Sequence, residues 1–124
     1  RRAGLTPAPW YDLVSVALIS GVDHTLAMGV DGEYDEENVH ALQLLYEADA
    51  IGVPKTWVFQ RLRAVLSAVE KTLPTVVDAV LSSELTDDEK AFVGQYETYI
   101  RQRLSRWRDE WTLMPELLKD DSLF

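Results

Sequence analysis

The stretch that decides the fold is TDDEKAFVGQYETYIRQRLSRWRDEWTLM, residues Thr86–Met114. Thr86 and Glu89 match a capping box, in which each side chain accepts a hydrogen bond from a backbone N–H that a helix start leaves unpaired. Acidic residues follow at the start and arginines come near the end, and both suit the helix dipole. The apolar residues repeat at helical spacing and form one broad stripe. The stretch therefore predicts a long amphipathic helix, which Pro115 should end.

Arg103 is the one residue of this stripe that does not suit a core. A buried guanidinium needs a partner, because removing an unpaired charge from water is costly. Asp49 lies near the middle of the apolar stripe of an earlier predicted helix, so we expect an ion pair between Asp49 and Arg103 across the bundle. The alternative is that Arg103 extends its charged end to water over its apolar stem.

The first half of the chain is predicted to form two helices. Apolar spacing predicts a first helix over Trp10–Met28 and a second over Asp35–Ile51, with its first residue as the N-cap and Gly52 at its end. Between them, residues 29–35 form a turn that is marked by an Asp-Gly pair. Asp-Gly is also a hairpin signal, but no alternating strands flank it.

A third helix is predicted from Pro54 to Val80, where one apolar stripe stays in phase through Pro74. This phase favours a single helix kinked at Pro74 over two shorter helices. No segment alternates apolar and polar residues as a half-buried strand does. The predicted fold class is therefore all-α, an antiparallel up-and-down bundle of four to five helices.

The predicted domain organisation is one helical-bundle domain over residues 1–124. Residues 1–9 would form an extended lead-in, and residues 115–124 a C-terminal tail that docks on the bundle or on a partner. The chain begins with Arg1 rather than Met, so we expect a fragment or a processed product, from the cytoplasm or from an organelle after presequence removal. No apolar run reaches the roughly 20 residues that cross a bilayer, which favours a soluble protein over an integral membrane protein.

The charge of the chain is negative and uneven. The net charge is −9, and residues 3–54 hold nine acidic residues and no Lys or Arg. An acidic surface repels phosphate backbones, so we expect no nucleic-acid partner. Arginines and tryptophans do alternate late in the quoted stretch, as in proteins that bind single-stranded nucleic acid. Their acidic neighbours and the inward position of the tryptophans argue against that function.

Candidate catalytic or metal-binding residues are few. The chain has no cysteine, which excludes disulfides and thiol chemistry. Glu37 and His40 have the Glu-x-x-His spacing of carboxylate di-iron bundles, but a second such pair is missing. His24 follows Asp23 and Ser20 on one predicted helix, whereas a catalytic triad takes its members from separate elements. With no Gly-rich phosphate loop, we expect no catalytic residue, no metal, no cofactor and no enzyme activity.

Apolar side chains that lie off the inward stripes, or in the tail, mark a candidate protein interface. They are Leu13, Val16, Trp57, Phe59, Leu123 and Phe124. The sequence therefore favours a non-catalytic protein-interaction module, either a small acidic accessory subunit of a larger assembly or a homo-oligomer. The alternative is a regulatory bundle that holds a small apolar ligand between its helices.

Overall fold

The computed structural model describes Gly4, Thr6 and residues 16–124. Within that part of the chain the fold is all-α, as predicted, with a 3₁₀-helix at Glu36–Asn38 followed by three α-helices. These are α1 (Ala41–Ala50), α2 (Lys55–Leu81) and α3 (Asp87–Lys119). The predicted count of four to five helices is wrong for these residues. None of the described helices combines the length and the hydrophobicity that a membrane crossing needs.

The predicted first helix, Trp10–Met28, is wrong over residues 16–28, which form turns and bends. Its remaining residues, like most of the predicted lead-in, lie outside the described part of the chain. Local backbone chemistry explains the difference. Gly21 has a φ of 78°, a left-handed conformation that interrupts a helix. The carboxylate of Asp23 accepts a hydrogen bond from the Thr25 N–H (2.8 Å), a local turn that competes with helical pairing.

The turn at residues 30–33 is tighter than predicted. Val30 and Glu33 exchange two backbone hydrogen bonds of 2.9 and 3.0 Å and form an isolated antiparallel bridge. Between them, Asp31 and Gly32 have φ angles of 50° and 74°. Positive φ at both central residues is what a two-residue hairpin turn requires, so the Asp-Gly signal holds locally although no strands extend from it.

The second predicted helix begins later than expected. The Asp35 carboxylate does accept a hydrogen bond from the Glu37 N–H (3.0 Å), but the helix that it caps is only the 3₁₀ segment. The chain is then extended at Val39, and α1 begins at Ala41. A long-range contact explains this later start. Arg106 of α3 donates hydrogen bonds to the carbonyls of Glu37 and Val39, which a continuous helix would pair with its own N–H groups.

The predicted end of α1 at Gly52 is confirmed and has Schellman geometry. The Gly52 N–H donates to the Asp49 carbonyl (3.2 Å), and the Val53 N–H donates to the Ala48 carbonyl (2.8 Å). Gly52 has a φ of 76°, which glycine adopts without the steric cost that a Cβ atom brings. Two carbonyls at the end of α1 are thereby paired.

The third and fourth predicted helices form a long hairpin, α2 followed by α3. α2 is one helix through Pro74, as the phase of its stripe predicts. The capping box of α3 is confirmed, since the Glu89 N–H donates to Thr86 Oγ1 (3.2 Å) and the Thr86 N–H donates to Glu89 Oε2 (2.7 Å). The two helices are antiparallel, because Phe59 early in α2 stacks on Trp111 late in α3.

Pro115 does not end α3, which continues to Lys119. A proline inside a helix costs about 3 kcal/mol, because it lacks an N–H and crowds the preceding turn. The extra turn offsets part of this cost by packing Leu117 and Leu118 against the buried core.

The core follows the hairpin in two clusters. Of the eight buried apolar residues in the described part of the chain, six form these clusters: Ala41, Leu45 and Met114 in one, and Leu66, Leu73 and Leu104 in the other. The first cluster joins α1 to the open end of the hairpin, and the second lies between α2 and α3. The core therefore fixes α1 against the last turns of α3, and residues 36–40 lead into that contact.

Candidate functional site

Long-range hydrogen bonds and ion pairs hold residues 36–41 against α3. Moving forward along this segment, successive partners on α3 are Tyr99, Arg103, Arg106 and Glu110. Successive members of this set are three or four positions apart, which places them on one helix face. We call this set of contacts the arginine clip.

Arg103 and Tyr99 together make the first contact of the clip, at Glu36. The Arg103 guanidinium pairs with the carboxylate of Glu36 and lies 3.8 Å from that of Glu37. Arg103 Nε donates to the Tyr99 hydroxyl (3.0 Å), and that hydroxyl donates to Glu36 Oε1 (3.4 Å). The Arg103 side chain is 22% exposed, so a carboxylate partner offsets much of the cost of removing its charge from water.

The predicted ion pair between Asp49 and Arg103 is wrong in its partners. Asp49 instead accepts a hydrogen bond from Lys55 Nζ (3.0 Å) across the turn that joins α1 to α2. Arg103 is paired, as its place in the apolar stripe requires, but with Glu36 and Glu37. The non-helical course of residues 36–40 brings these carboxylates to α3, and helical periodicity did not predict that course.

Arg106 is the second contact of the clip. Its Nη2 donates to the backbone carbonyls of Glu37 (2.9 Å) and Val39. Its Nη1 is buried and has no hydrogen-bond partner among the described residues. The guanidinium also lies 5.1 Å from the ring centroid of Trp107. Arg106 thus replaces the helical hydrogen bonds that residues 37–39 give up.

Glu110 is the third contact and caps α1 from another helix. Its Oε2 accepts a hydrogen bond from the Ala41 N–H (2.8 Å), and its Oε1 lies 2.6 Å from His40 Nδ1. The first N–H groups of a helix have no partner within the helix. Gln43 Oε1 accepts the His40 N–H (2.9 Å), and Glu110 supplies the acceptor for the Ala41 N–H. Burial alone would raise the pKa of Glu110, but the hydrogen bonds from Ala41 and His40 and the charges of His40 and Arg106 outweigh burial and lower it.

A cleft of about 400 Å³ opens beside the clip, between residues 16–37 and α3. Its polar lining comes from residues 35–37, His24, Tyr99 and Arg103, and its apolar lining includes Val16. Three carboxylates against one paired guanidinium give the cleft a negative character that suits hydrogen-bond donors. No group of three or more His, Asp or Glu side chains that could hold a metal ion is found in the described part of the chain.

The predicted interface residues of the described helices and loops lie in different surroundings. Val16 is 41% exposed and lines the cleft, and Trp57 is 53% exposed on α2. Phe59 instead serves the interior, because its ring lies 4.9 Å from that of Trp111 at an interplanar angle of 6°, and its carbonyl accepts the Trp111 indole N–H (3.0 Å). A role for Val16 and Trp57 at an interface stays a prediction.

The remaining predicted interface residues belong to the ends of the chain. Leu13 lies outside the described residues, and Leu123 is half-buried. Phe124 is 39% exposed, yet its ring lies 5.4 Å from that of Tyr46 and 4.3 Å from Lys55 Nζ. The tail therefore contacts α1 and the start of α2.

Sequence reasoning missed Arg106 and Glu110 as members of this site. A signal was present, since the two residues continue the helix face of Arg103 at spacings of three and four. Their partners are backbone groups of residues 37–41, and a sequence pattern does not show which backbone groups are left unpaired.

Comparisons with known proteins lead to a toxin. No protein-family model matches the chain. Over 105 residues the chain is 31% identical to the serine/threonine-protein kinase toxin HipA of Shewanella oneidensis, a match that covers 85% of this chain and 24% of the toxin. The fold is similar, with a TM-score of 0.66 and 30% identity, to a chain in the solved complex of the Shewanella oneidensis MR-1 toxin–antitoxin system HipA, HipB and its operator DNA. That match covers 89% of this chain and 25% of the other, so the chain spans about a quarter of the proteins that it matches.

These similarities contradict the function predicted from the sequence. A non-catalytic accessory subunit and a small-ligand bundle are both wrong predictions, because the matched relative is a protein kinase toxin. The expectations of no enzyme activity and no nucleic-acid partner are contradicted as well, since the structural neighbour is a complex with operator DNA. The matched region is about a quarter of the toxin's length, and the sequence prediction used only the motifs and net charge of this chain.

Proposed function

We propose that the chain is a helical portion of a larger serine/threonine-protein kinase toxin. The observation that carries this proposal is the agreement of sequence and backbone on one relative, over 85% and 89% of the chain. Helical hairpins recur in unrelated proteins because packing rules favour them. The identity of about 30% along the same stretch supports common ancestry in addition to a similar architecture.

Within such a kinase, we propose that the described residues help to hold the catalytic machinery in position. Phosphoryl transfer depends almost entirely on the placement of groups and on electrostatic stabilisation, so small displacements of a supporting layer lower the rate. The arginine clip fixes residues 36–41 along α3 through ion pairs and bonds to backbone carbonyls. We propose that this clip holds the cleft at residues 16–37 in a defined place relative to the rest of the kinase.

We call the proposed larger toxin the parent protein. We propose that binding of a protein partner and of DNA is a property of the parent protein as a whole. HipA is found with HipB and operator DNA in the solved complex. By this similarity we propose that the parent protein binds an antitoxin partner and, together with it, operator DNA. Arg103 and Arg108 of this chain are already paired with Glu36 and Glu70, so we assign most phosphate contacts to other basic surfaces of the complex.

Growth arrest by the parent protein tests the toxin proposal. We expect induction of the intact parent protein in bacteria to stop growth, and we expect Met114→Ala, at a fully buried position, to weaken the arrest. Leu113→Ala is the matched control, because Leu113 is the neighbouring residue and is 56% exposed. Unimpaired growth in cells that contain the folded wild-type parent protein would contradict the proposal.

A further inference from the structure

Among the residues that the structure describes, α1 covers one face of the α2–α3 hairpin at one end only. α1 packs against the first turns of α2, where Val58 and Leu62 contact its core residues. Farther along α2, Val65 is 51% exposed and Val76 is 50% exposed. α1 has 10 residues and α2 has 27, so at the usual helical rise they are about 15 Å and 40 Å long. α1 therefore covers less than half of this side of α2.

One exposed face of this part of α2 carries no charged side chain. At helical spacing, this face consists of Val65, Ala68, Thr72, Val76 and Ala79, which we call the bare face. Of the charged residues between positions 64 and 81, Glu70 lies on the opposite side of α2, whereas Lys71 and Asp78 lie about 100–120° around the helix from the centre of the bare face. A helix face in contact with water normally carries charged or strongly polar side chains, so the bare face has the composition of a contact surface.

The bare face continues onto α3. Phe92 is 43% exposed, and it lies on the same side of α3 as Arg103 and Met114, which contact the clip and α1. α1 and residues 36–41 thus form a layer over one end of the hairpin. The bare face and Phe92 extend the same surface toward the other end, and the exposed Asp88, one turn before Phe92, borders it. The open area is continuous with an established helix–helix interface.

We infer that an apolar helix of the parent protein, from outside this chain, packs on the bare face and continues the α1 layer. This inference rests on the proposed function, under which about three quarters of the polypeptide lies outside the chain. A tethered helix has a high effective concentration, and the small side chains Ala68 and Ala79 let a helix approach α2 closely. DNA does not fit this surface, because the bare face offers no cation to a phosphate.

Thiol labelling of the intact parent protein tests this inference without use of its activity. The chain has no cysteine of its own, so Val76→Cys and, at the exposed control position, Leu113→Cys each introduce one new thiol into it. Labelling with a maleimide is followed by peptide mass spectrometry, first in native buffer and then in denaturant. We expect Val76→Cys to react at least about tenfold more slowly than Leu113→Cys in native buffer. The thiol at position 76 can react only when the covering helix detaches locally. The two variants should react equally in denaturant.

Ala79→Cys provides a second variant with a smaller change in volume, in case Val76→Cys does not fold. Equal native rates at the bare face and at Leu113 overturn the inference. Protection that is lost on dilution assigns the face to a second copy, and protection that needs an added antitoxin or DNA assigns it to that partner, so both results also overturn it. Slow labelling at the bare face without growth arrest would contradict the proposed function alone. Growth arrest with equal labelling rates at the bare face and at Leu113 would contradict the inference alone.

Discussion

Glu110 is the side chain whose removal tests the arginine clip most simply. In Glu110→Ala, the Ala41 N–H loses an acceptor at 2.8 Å and His40 loses a carboxylate at 2.6 Å. A helix N-cap acceptor contributes about 1 kcal/mol. The His40 side chain is 51% exposed, so its ion pair adds no more than about 1 kcal/mol. We therefore expect the free energy of unfolding to fall by about 1–2 kcal/mol.

Urea unfolding followed by tryptophan fluorescence measures this loss. Glu116→Ala is the matched control, because Glu116 belongs to the same helix, is 79% exposed and pairs, among the described residues, only with Lys119. It should change the free energy of unfolding by no more than about 0.5 kcal/mol. Glu110→Gln keeps one acceptor oxygen and should recover part of the loss. If Glu110→Ala and Glu116→Ala were equally stable, Glu110 would not cap α1 in solution.

The same variant has a predicted pH dependence. Burial raises the pKa of Glu110, but its hydrogen bonds and the nearby positive charges outweigh burial, so the pKa is lower in the folded protein than its ordinary value. The ionised carboxylate therefore stabilises the fold at any pH above the unfolded pKa of a glutamate, and this stability is lost as the pH falls through the folded pKa. The stability difference between wild type and Glu110→Ala should shrink in acid. A constant difference from neutral to acid pH would refute this reasoning.

Three further substitutions test the core, a helix end and a buried hydrogen bond. Met114→Ala, at 0% exposure, should lower the free energy of unfolding by about 2–5 kcal/mol, and Leu113→Ala, at 56% exposure, by less than about 0.5 kcal/mol; equal losses in urea would contradict the packing. Gly52→Ala should cost about 1 kcal/mol in thermal unfolding, because φ is 76° while the added Cβ meets no described atom within 4 Å, and Gly52→Asn should cost less. Trp111→Phe keeps a ring against Phe59 but removes its 3.0 Å hydrogen bond, and should cost about 1 kcal/mol or more in urea; unchanged stability would show that the bond contributes nothing.

The helical hairpin could be predicted because its signals are local. The capping box at Thr86 and the unbroken stripe through Pro74 each act within one helix, and both agree with the structure. The Schellman end at Gly52 has the same origin, since it depends on one residue's backbone freedom. Pro115 was interpreted wrongly, because the packing of the last turn of α3 on the core outweighs its local cost.

The start of α1 and the partners of Arg103 could not be predicted from periodicity. Both depend on where residues 36–40 cross α3, which is a tertiary contact between segments more than 60 positions apart. Turn-forming residues such as Gly21 and Asp23 were outweighed in the sequence interpretation by the apolar content of residues 16–28, and the backbone follows the turns instead. The similarity to a kinase toxin was missed for a different reason, because the chain covers only about a quarter of the relatives that it matches and no motif in it points to a kinase.

The most direct test of the central claim is phosphate transfer by the intact parent protein. The parent protein is incubated with Mg²⁺ and ATP labelled at its γ-phosphate, and the label on serine and threonine is located by mass spectrometry. We predict that phosphoserine or phosphothreonine forms, that Met114→Ala lowers its rate, and that Leu113→Ala leaves the rate unchanged. Absence of phosphate transfer by the folded wild-type parent protein would contradict the account.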